Sequence, residues 1–323
     1  MIASAVRPSA SMINLFVRLS VAFASLALIA ASEPSSKWEA PVDCTAARKG
    51  IPQYADLVKA LRYDPKAPLN VHVLSDADDH GVKLESIEFT ITNGAICSAA
   101  IIVPPGAGSF PAVVWLGSGD GKDWEPYAME FSKLGAISMV LDGCGSASLY
   151  DARAFHADEV QNIINIRRAV DILFSRKDVD RHRIAFVGHS GGAMLGVDAV
   201  AVDGRFKAAV FESGLQGFTY HICTSPHPFA IETREELKDR LPAYVATLAP
   251  LDAIHYVGHE APTVLLFQSA RLDQGVPQAD AKALFDAASE PKQLIWYDTG
   301  HKMELPQVSA DRRAFLKREL RMP

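Results

Sequence analysis

Residues 178–202 read DVDRHRIAFVGHSGGAMLGVDAVAV. Within them RIAFVG (183–188) is apolar without alternation, as a strand covered on both faces of a parallel sheet has to be. Gly191–Val202 reads as a helix. Between the two stands Gly188-His189-Ser190-Gly191-Gly192, a G-x-S-x-G pattern in a strand–turn–helix setting. So tight a turn forces the serine into a strained backbone region, and a Cβ at 188 or 192 would strike neighbouring chain. Ser190 Oγ is thereby pushed out above the sheet, where the helix start offers N–H groups and a positive dipole end to an anion. Chance alone would give roughly 0.1 such patterns in a chain with this glycine content. The competing reading is a serine in a purely structural turn.

Strands and helices alternate on either side of this turn. AVVWLG (112–117) reads as a strand, Trp124–Leu134 as a helix stopped by Gly135, and AISMVLD (136–142) as the next strand. A helix over Ala157–Ser175 carries Val160, Ile163, Ile164, Val170, Leu173 and Phe174 on one face. Beyond the serine come strands FKAAVF (206–211), TVLLFQS (263–269) and QLIWY (293–297), with helices near Gln278–Ala288 and Gln307–Leu320. Such repetition predicts a doubly wound, mostly parallel α/β sheet, whose ligands sit beyond the carboxyl ends of the strands. Upstream, SIEFTIT (86–92) alternates with period two, and Asn93-Gly94 leads into Ala95–Val103, an antiparallel hairpin with a type I′ turn. Residues 214–262 break the rhythm. Thr233-Arg-Glu-Glu236 there has a capping-box pattern opening a short charged helix. This stretch is expected as a cap-like insertion, the alternative being a lateral excursion.

A serine hydroxyl needs a base, and the base needs an orienting carboxylate. His301 follows QLIWYDTG just past the last strand, and Asp273 follows TVLLFQS after a short turn. Ser190…Asp273…His301 is the chain order this motif requires. Glu212, which ends the strand after the elbow helix, is the competing acid. His189 is expected to pack beside the elbow, Gly258-His259 precedes a strand and lies at the wrong end, and Asp252 reads as a cap or turn residue. The oxyanion donors are expected at the N–H groups of Ser118, in Leu116-Gly117-Ser118-Gly119, and of Gly191. Cys144 lacks a G-x-C-x-G setting and reads as a loop residue or half of a bridge to Cys223.

From residues 84 to 320 the chain resembles an α/β-hydrolase. The segment 178–192 (DVDRHRIAFVGHSGG), Asp273 and Gly300-His301 resemble the dienelactone-hydrolase-like and acetyl-xylan-esterase-like branches. That resemblance implies a Ser-His-Asp hydrolase, mostly of carboxylic esters, without a cofactor. The His-Gly often carried after the first core strand in such families is Leu116-Gly117 here, which removes a common support of that loop.

Composition narrows the remaining classes. The chain has 323 residues, 49% apolar and 22% charged, so wholesale disorder is excluded. Its net charge is −6 and no Lys/Arg block occurs, so no nucleic-acid partner is expected. The histidines show no H-E-x-x-H pair and the cysteines no C-x-x-C, so no metal site is expected. Arg7 and Arg18 precede a 14-residue run, LSVAFASLALIAAS, too short to span a bilayer and ending in small residues. Residues 1–32 are therefore expected as a signal peptide, an anchor helix being the alternative. Residues 33–83 would form an N-terminal extension and 84–323 the hydrolase domain. The protein is expected to be secreted or periplasmic, with no membrane association after cleavage. Cys44, Cys97, Cys144 and Cys223 would form two bridges or stay as buried thiols. The expected activity is hydrolysis of a small-molecule ester through an acyl-enzyme. A peptidase or amidase of the same fold, or a non-catalytic binding protein, are the alternatives.

Overall fold

The computed structural model describes residues 39–92, 94–117 and 121–323. Their strands are β1 (His72–Asp79), β2 (Val82–Thr90), β3 (Ile96–Val103), β4 (Phe110–Leu116), β5 (Ile137–Leu141), β6 (Val179–His189), β7 (Ala208–Glu212), β8 (Val264–Ala270) and β9 (Lys292–Tyr297). They form one sheet in the order β1-β2-β3-β5-β4-β6-β7-β8-β9. Pairing is antiparallel from β1 through β3 to β5, and parallel from β5 to β9. The helices are α1 (Tyr54–Leu57), α2 (Glu125–Lys133), α3 (Ala152–Ser175), α4 (Gly191–Val202), α5 (Phe218–Thr224), α6 (Pro228–Leu237), α7 (Leu241–Leu248), α8 (Gln278–Ala287) and α9 (Pro306–Glu319).

The period-two geometry of a strand sorts the apolar runs between two cores. In β4, Ala112, Val114 and Leu116 face one core with Ile163 and Ile166 of α3, Val197 of α4 and Leu284 of α8. Val113 and Trp115 face the other, with Ala128 and Phe131 of α2 and Phe315 and Leu316 of α9. β6 divides likewise, Ile184 and Phe186 to the first core and Ala185 and Val187 to the second. That is why these strands read as unbroken apolar runs: both faces are covered by helices. Burying a Leu, Val or Phe side chain is worth about 1.5–3 kcal/mol, so the two layers dominate the fold's stability.

The structure departs from the sequence-based expectations at several points. β1 lies inside the stretch expected as an N-terminal extension, yet it pairs along β2. Every one of its residues is exposed, so no apolar pattern announces it, and Asp76, Asp78 and Asp79 mark it as a protected edge. The β2–β3 connection is not the two-residue turn expected. Ile91 N–H donates to Ala95 O at 3.0 Å and Gly94 N–H to Ile91 O at 2.9 Å, with Gly94 at φ +85°. The hairpin therefore closes around three residues, with glycine at the left-handed position. Asn93, the leader at 1–32 and Ser118 lie outside the described residues.

Between β7 and β8 the chain forms α5, α6 and α7, which share a small core of Ile222, Leu237, Leu241, Tyr244, Val245 and Leu248. The capping box at Thr233 is not used. α6 starts at Pro228, a residue preorganised for the first helical position, and the His227 ring accepts from Phe229 N–H. Thr233 lies inside the helix and donates its hydroxyl to Phe229 O at 2.7 Å. The cysteines pair as Cys44–Cys223 and Cys97–Cys144, and the Cys144–Cys223 bridge considered from sequence is not formed. Cys44–Cys223 ties the N-terminal segment to α5, where Val42 N–H also donates to Cys223 O at 2.8 Å.

Candidate active site

Ser190 sits between β6 and α4 with φ 54° and ψ −118°, a left-handed conformation that a side-chain-bearing residue adopts only under constraint. Two glycines supply the room. A Cβ on Gly188 would stand 2.5 Å from Gly192 O, and one on Gly192 would drive into the carbonyl of Leu116 at the end of β4. The turn is pinned as well, Ser190 N–H donating to Glu212 O at 2.8 Å.

His301 and Asp273 meet Ser190 from loops beyond β9 and β8. His301 Nε2 lies 2.8 Å from Ser190 Oγ, and His301 Nδ1 lies 2.7 Å from Asp273 Oδ2. The carboxylate fixes the neutral tautomer with its proton on Nδ1, which leaves Nε2 as the acceptor facing the serine hydroxyl. The second carboxylate oxygen accepts from Gly275 N–H at 2.7 Å and Val276 N–H at 2.9 Å. Burial would raise the Asp273 carboxyl, but the hydrogen bond and charge of His301 and these two N–H groups outweigh it. The group is held below the usual carboxylate range and is ionised at neutral pH.

Further groups hold the His301 loop in place. His301 O accepts from Ser213 Oγ at 3.1 Å and from His189 Nε2 at 2.8 Å. Donation from Nε2 leaves His189 a packing residue beside the elbow, and its ring lies 5.4 Å from that of Trp124. Burial lowers the His189 pKa, against the pull of Glu212 and the His301 carbonyl, which favours its neutral ring. Glu212 itself does not reach His301. It is fully buried in an ion pair with Arg312 of α9. His259 stacks on Tyr54 at 3.6 Å, away from Ser190. Asp252 is buried and accepts from Thr219 N–H at 2.9 Å, holding the start of α5. Cys144 is in a disulfide.

Sequence reading missed the support that the insertion gives the acid loop. His221 Nδ1 and Ser225 Oγ, both from α5 and its end, donate to Gly275 O at 3.0 Å each. Nothing local in the sequence links positions 50 residues apart, so only the fold reveals them. Burial pushes the His221 ring down to about 4, and its bond to Gly275 O offsets this only in part; the ring stays neutral.

A cavity of about 420 Å³ opens over Ser190 and His301, within the range of small-molecule sites. Met194, Leu195, Leu215, Phe155, Phe218 and Phe229 make it chiefly apolar. Gly191, first residue of α4, lines it beside the serine, as Leu116 and Gly117 do from the end of β4. Among the described residues no group of three or more His, Cys, Asp or Glu side chains is arranged to hold a metal, and no helix is long and apolar enough to cross a membrane.

The sheet order, the helices on both faces and the serine elbow define an α/β-hydrolase. Residues 122–321 match the model of the prolyl oligopeptidase family, and the chain belongs to that family. No curated protein matches. Among solved structures the chain is similar to the acetyl xylan esterase from Paenibacillus sp. R4, with TM-score 0.67, 18% identity, and 86% of this chain and 100% of that one covered. It is also similar to acetyl xylan esterase 1 from Thermoanaerobacterium sp. JW/SL YS485, with TM-score 0.68, 16% identity, and 86% and 99% covered. An S-formylglutathione hydrolase from Agrobacterium tumefaciens gives TM-score 0.58, 15% identity, and 77% and 99% covered. At these identities the likeness is one of fold, and it agrees with the α/β-hydrolase resemblance carried by the sequence motifs.

Proposed function

We propose that the protein is a serine hydrolase that cleaves a small-molecule carboxylic ester through Ser190, His301 and Asp273. The observation that carries this reading is the unbroken hydrogen-bond relay from Ser190 Oγ through the His301 ring to Asp273 Oδ2. Ser190 Oγ attacks the acyl carbon while His301 Nε2 takes its proton, and Asp273 stabilises the imidazolium. The tetrahedral oxyanion is held by the N–H groups of Gly191 and Ser118, each donor worth about 2.7–4 kcal/mol by analogy with a studied hydrolase. Collapse breaks the ester C–O bond as His301 returns the proton to the departing alcohol. Water, deprotonated by the same ring, then releases the acid from the acyl-enzyme.

A second reading, amide or peptide hydrolysis, is favoured by the family to which the chain belongs. The similarity to acetyl xylan esterases favours the ester. Fluorophosphonate labelling of Ser190, absent in Ser190→Ala, tests for a serine hydrolase against a non-catalytic binding protein. Turnover of an ester and an amide sharing one acyl group then separates esterase from amidase. A fully active Ser190→Ala variant would overturn the mechanism. Two disulfides support maturation in an oxidising compartment, secreted or periplasmic, with residues 1–32 removed as a signal peptide. N-terminal sequencing of the exported protein checks the cleavage.

A further inference from the structure

The pocket over Ser190 is chiefly apolar; besides Ser190 and His301, its polar side chains are Glu159 and Asn162 of α3 and the His221 and His227 rings. Among the described residues Glu159 is the one carboxylate lining this cavity. It also lines an adjoining polar cleft of about 520 Å³, with Lys122, Asp142 and Asp158. The two aspartates are engaged in the fold: Asp142 Oδ1 accepts from Gly121 N–H at 3.2 Å and Asp158 Oδ2 from Ala147 N–H at 2.7 Å. Glu159 receives only a long bond, 3.4 Å, from Asn162 Nδ2 to Oε1. No salt bridge reaches it from an Arg, Lys or His among the described residues. Burial pushes its carboxyl up to about 7, the Asn162 bond opposing and the Asp158 charge adding to the rise.

Aromatic rings complete the surroundings. Phe155 stands one helical turn before Glu159 on α3, so both point from the same face into the cavity. The Phe155 ring is 5.2 Å from that of Phe218, and Phe218 is 6.3 Å from Phe229. The neutral His221 ring is 6.0 Å from Phe229. These three phenylalanines line the same cavity as the carboxylate, and aromatic rings together with a carboxylate are the recognition elements of an organic cation. A neutral alkyl group would bury the carboxyl further without a partner, whereas an ammonium group would satisfy its charge.

We propose that Glu159 is a specificity-determining residue and that the substrate carries an ammonium group, received between Glu159 and the rings of Phe155, Phe218 and Phe229. This rests on the serine-hydrolase reading and extends it to the substrate's charge. The test compares two acetate esters of the same shape, 2-(trimethylammonio)ethyl acetate and 3,3-dimethylbutyl acetate, alongside fluorophosphonate labelling of Ser190. The wild-type protein is expected to favour the cationic ester by about tenfold or more in kcat/KM. Glu159→Gln, equal in shape, is expected to bring the ratio close to one, and Phe229→Leu, at a residue 37% exposed, to lower it in part. Labelling of Ser190 with no preference between the esters, whether both react equally or neither reacts, overturns the cation site and leaves the hydrolase reading standing. A preference unchanged in Glu159→Gln overturns it too. Absence of both labelling and turnover refutes the hydrolase reading, and this proposal with it.

Discussion

At the scale of single residues, two carboxylates near the ends of neighbouring strands have opposite roles. Asp273 spends both oxygens on His301 and on the N–H groups of Gly275 and Val276. Glu212 is locked to Arg312, with both side chains 2% exposed. Asp273→Asn keeps the shape but favours the wrong imidazole tautomer, so kcat is expected to fall by about 10⁴, with the melting temperature little changed. Glu212→Gln leaves Arg312 buried without its counter-charge, a loss of about 3–5 kcal/mol in stability. Its folded fraction should turn over ester at close to the wild-type rate. Denaturant unfolding paired with steady-state kinetics distinguishes the two, and the reverse ranking would make Glu212 the orienting acid. The sequence alone left this choice open because both residues follow core strands. What separates them is Arg312 on α9, about a hundred residues from Glu212, which no local pattern reveals.

At the scale of elements, α5 is more than part of a cover. Its end delivers Ser225 Oγ, and its middle His221 Nδ1, to the carbonyl of Gly275, whose own N–H supports Asp273. Ser225 is fully buried, so its effect is separable from direct substrate contact. Removing a hydrogen bond worth about 1 kcal/mol from this support predicts a roughly fivefold lower kcat for Ser225→Ala. KM should stay near wild type and Ser225→Thr should recover the rate; an Ala variant with unchanged kcat would show that the acid loop stands without α5. Which elements were legible follows from their surroundings. β4 to β8 announce themselves as apolar runs because both faces are buried, and the elbow because its glycines admit no side chain. β1 is exposed throughout and gives no such signal. α3 begins at Ala152, earlier than its apolar face suggests. Asp151 caps it by accepting from Arg153 and Ala154 N–H, and the extra turn carries Phe155 into the pocket beside Glu159. The chemistry of the strand ends could be read from order along the chain, whereas the pocket walls depend on where helices happen to lie.

At the scale of the whole molecule, a net charge of −6 is accompanied by acids in the interior. One of them is Asp198 of α4, two turns beyond Ser190, with no exposed surface and no hydrogen-bond partner for either oxygen among the described residues. Burial pushes its pKa well above the ordinary carboxylate value, and the charges of Asp252, Glu159 and Glu260 add to the rise. The folded protein thus keeps this proton to a higher pH than the unfolded chain does. Its contribution is fully present below the unfolded value near 3.8 and is lost progressively as pH rises towards the folded one. Asp198→Asn removes the ionisation while keeping the shape, although its amide is no better partnered. The variant is therefore expected to gain in melting temperature relative to wild type as pH rises, by several degrees between pH 5 and pH 8. Ser190 labelling should remain, because Asp198 touches none of the triad. Calorimetric melting at the two pH values reads the difference directly. A gain equal at both, or one that shrinks with pH, would mean that Asp198 ionises as readily in the fold as in the unfolded chain, and that a polar contact within α4's surroundings already stabilises its charge.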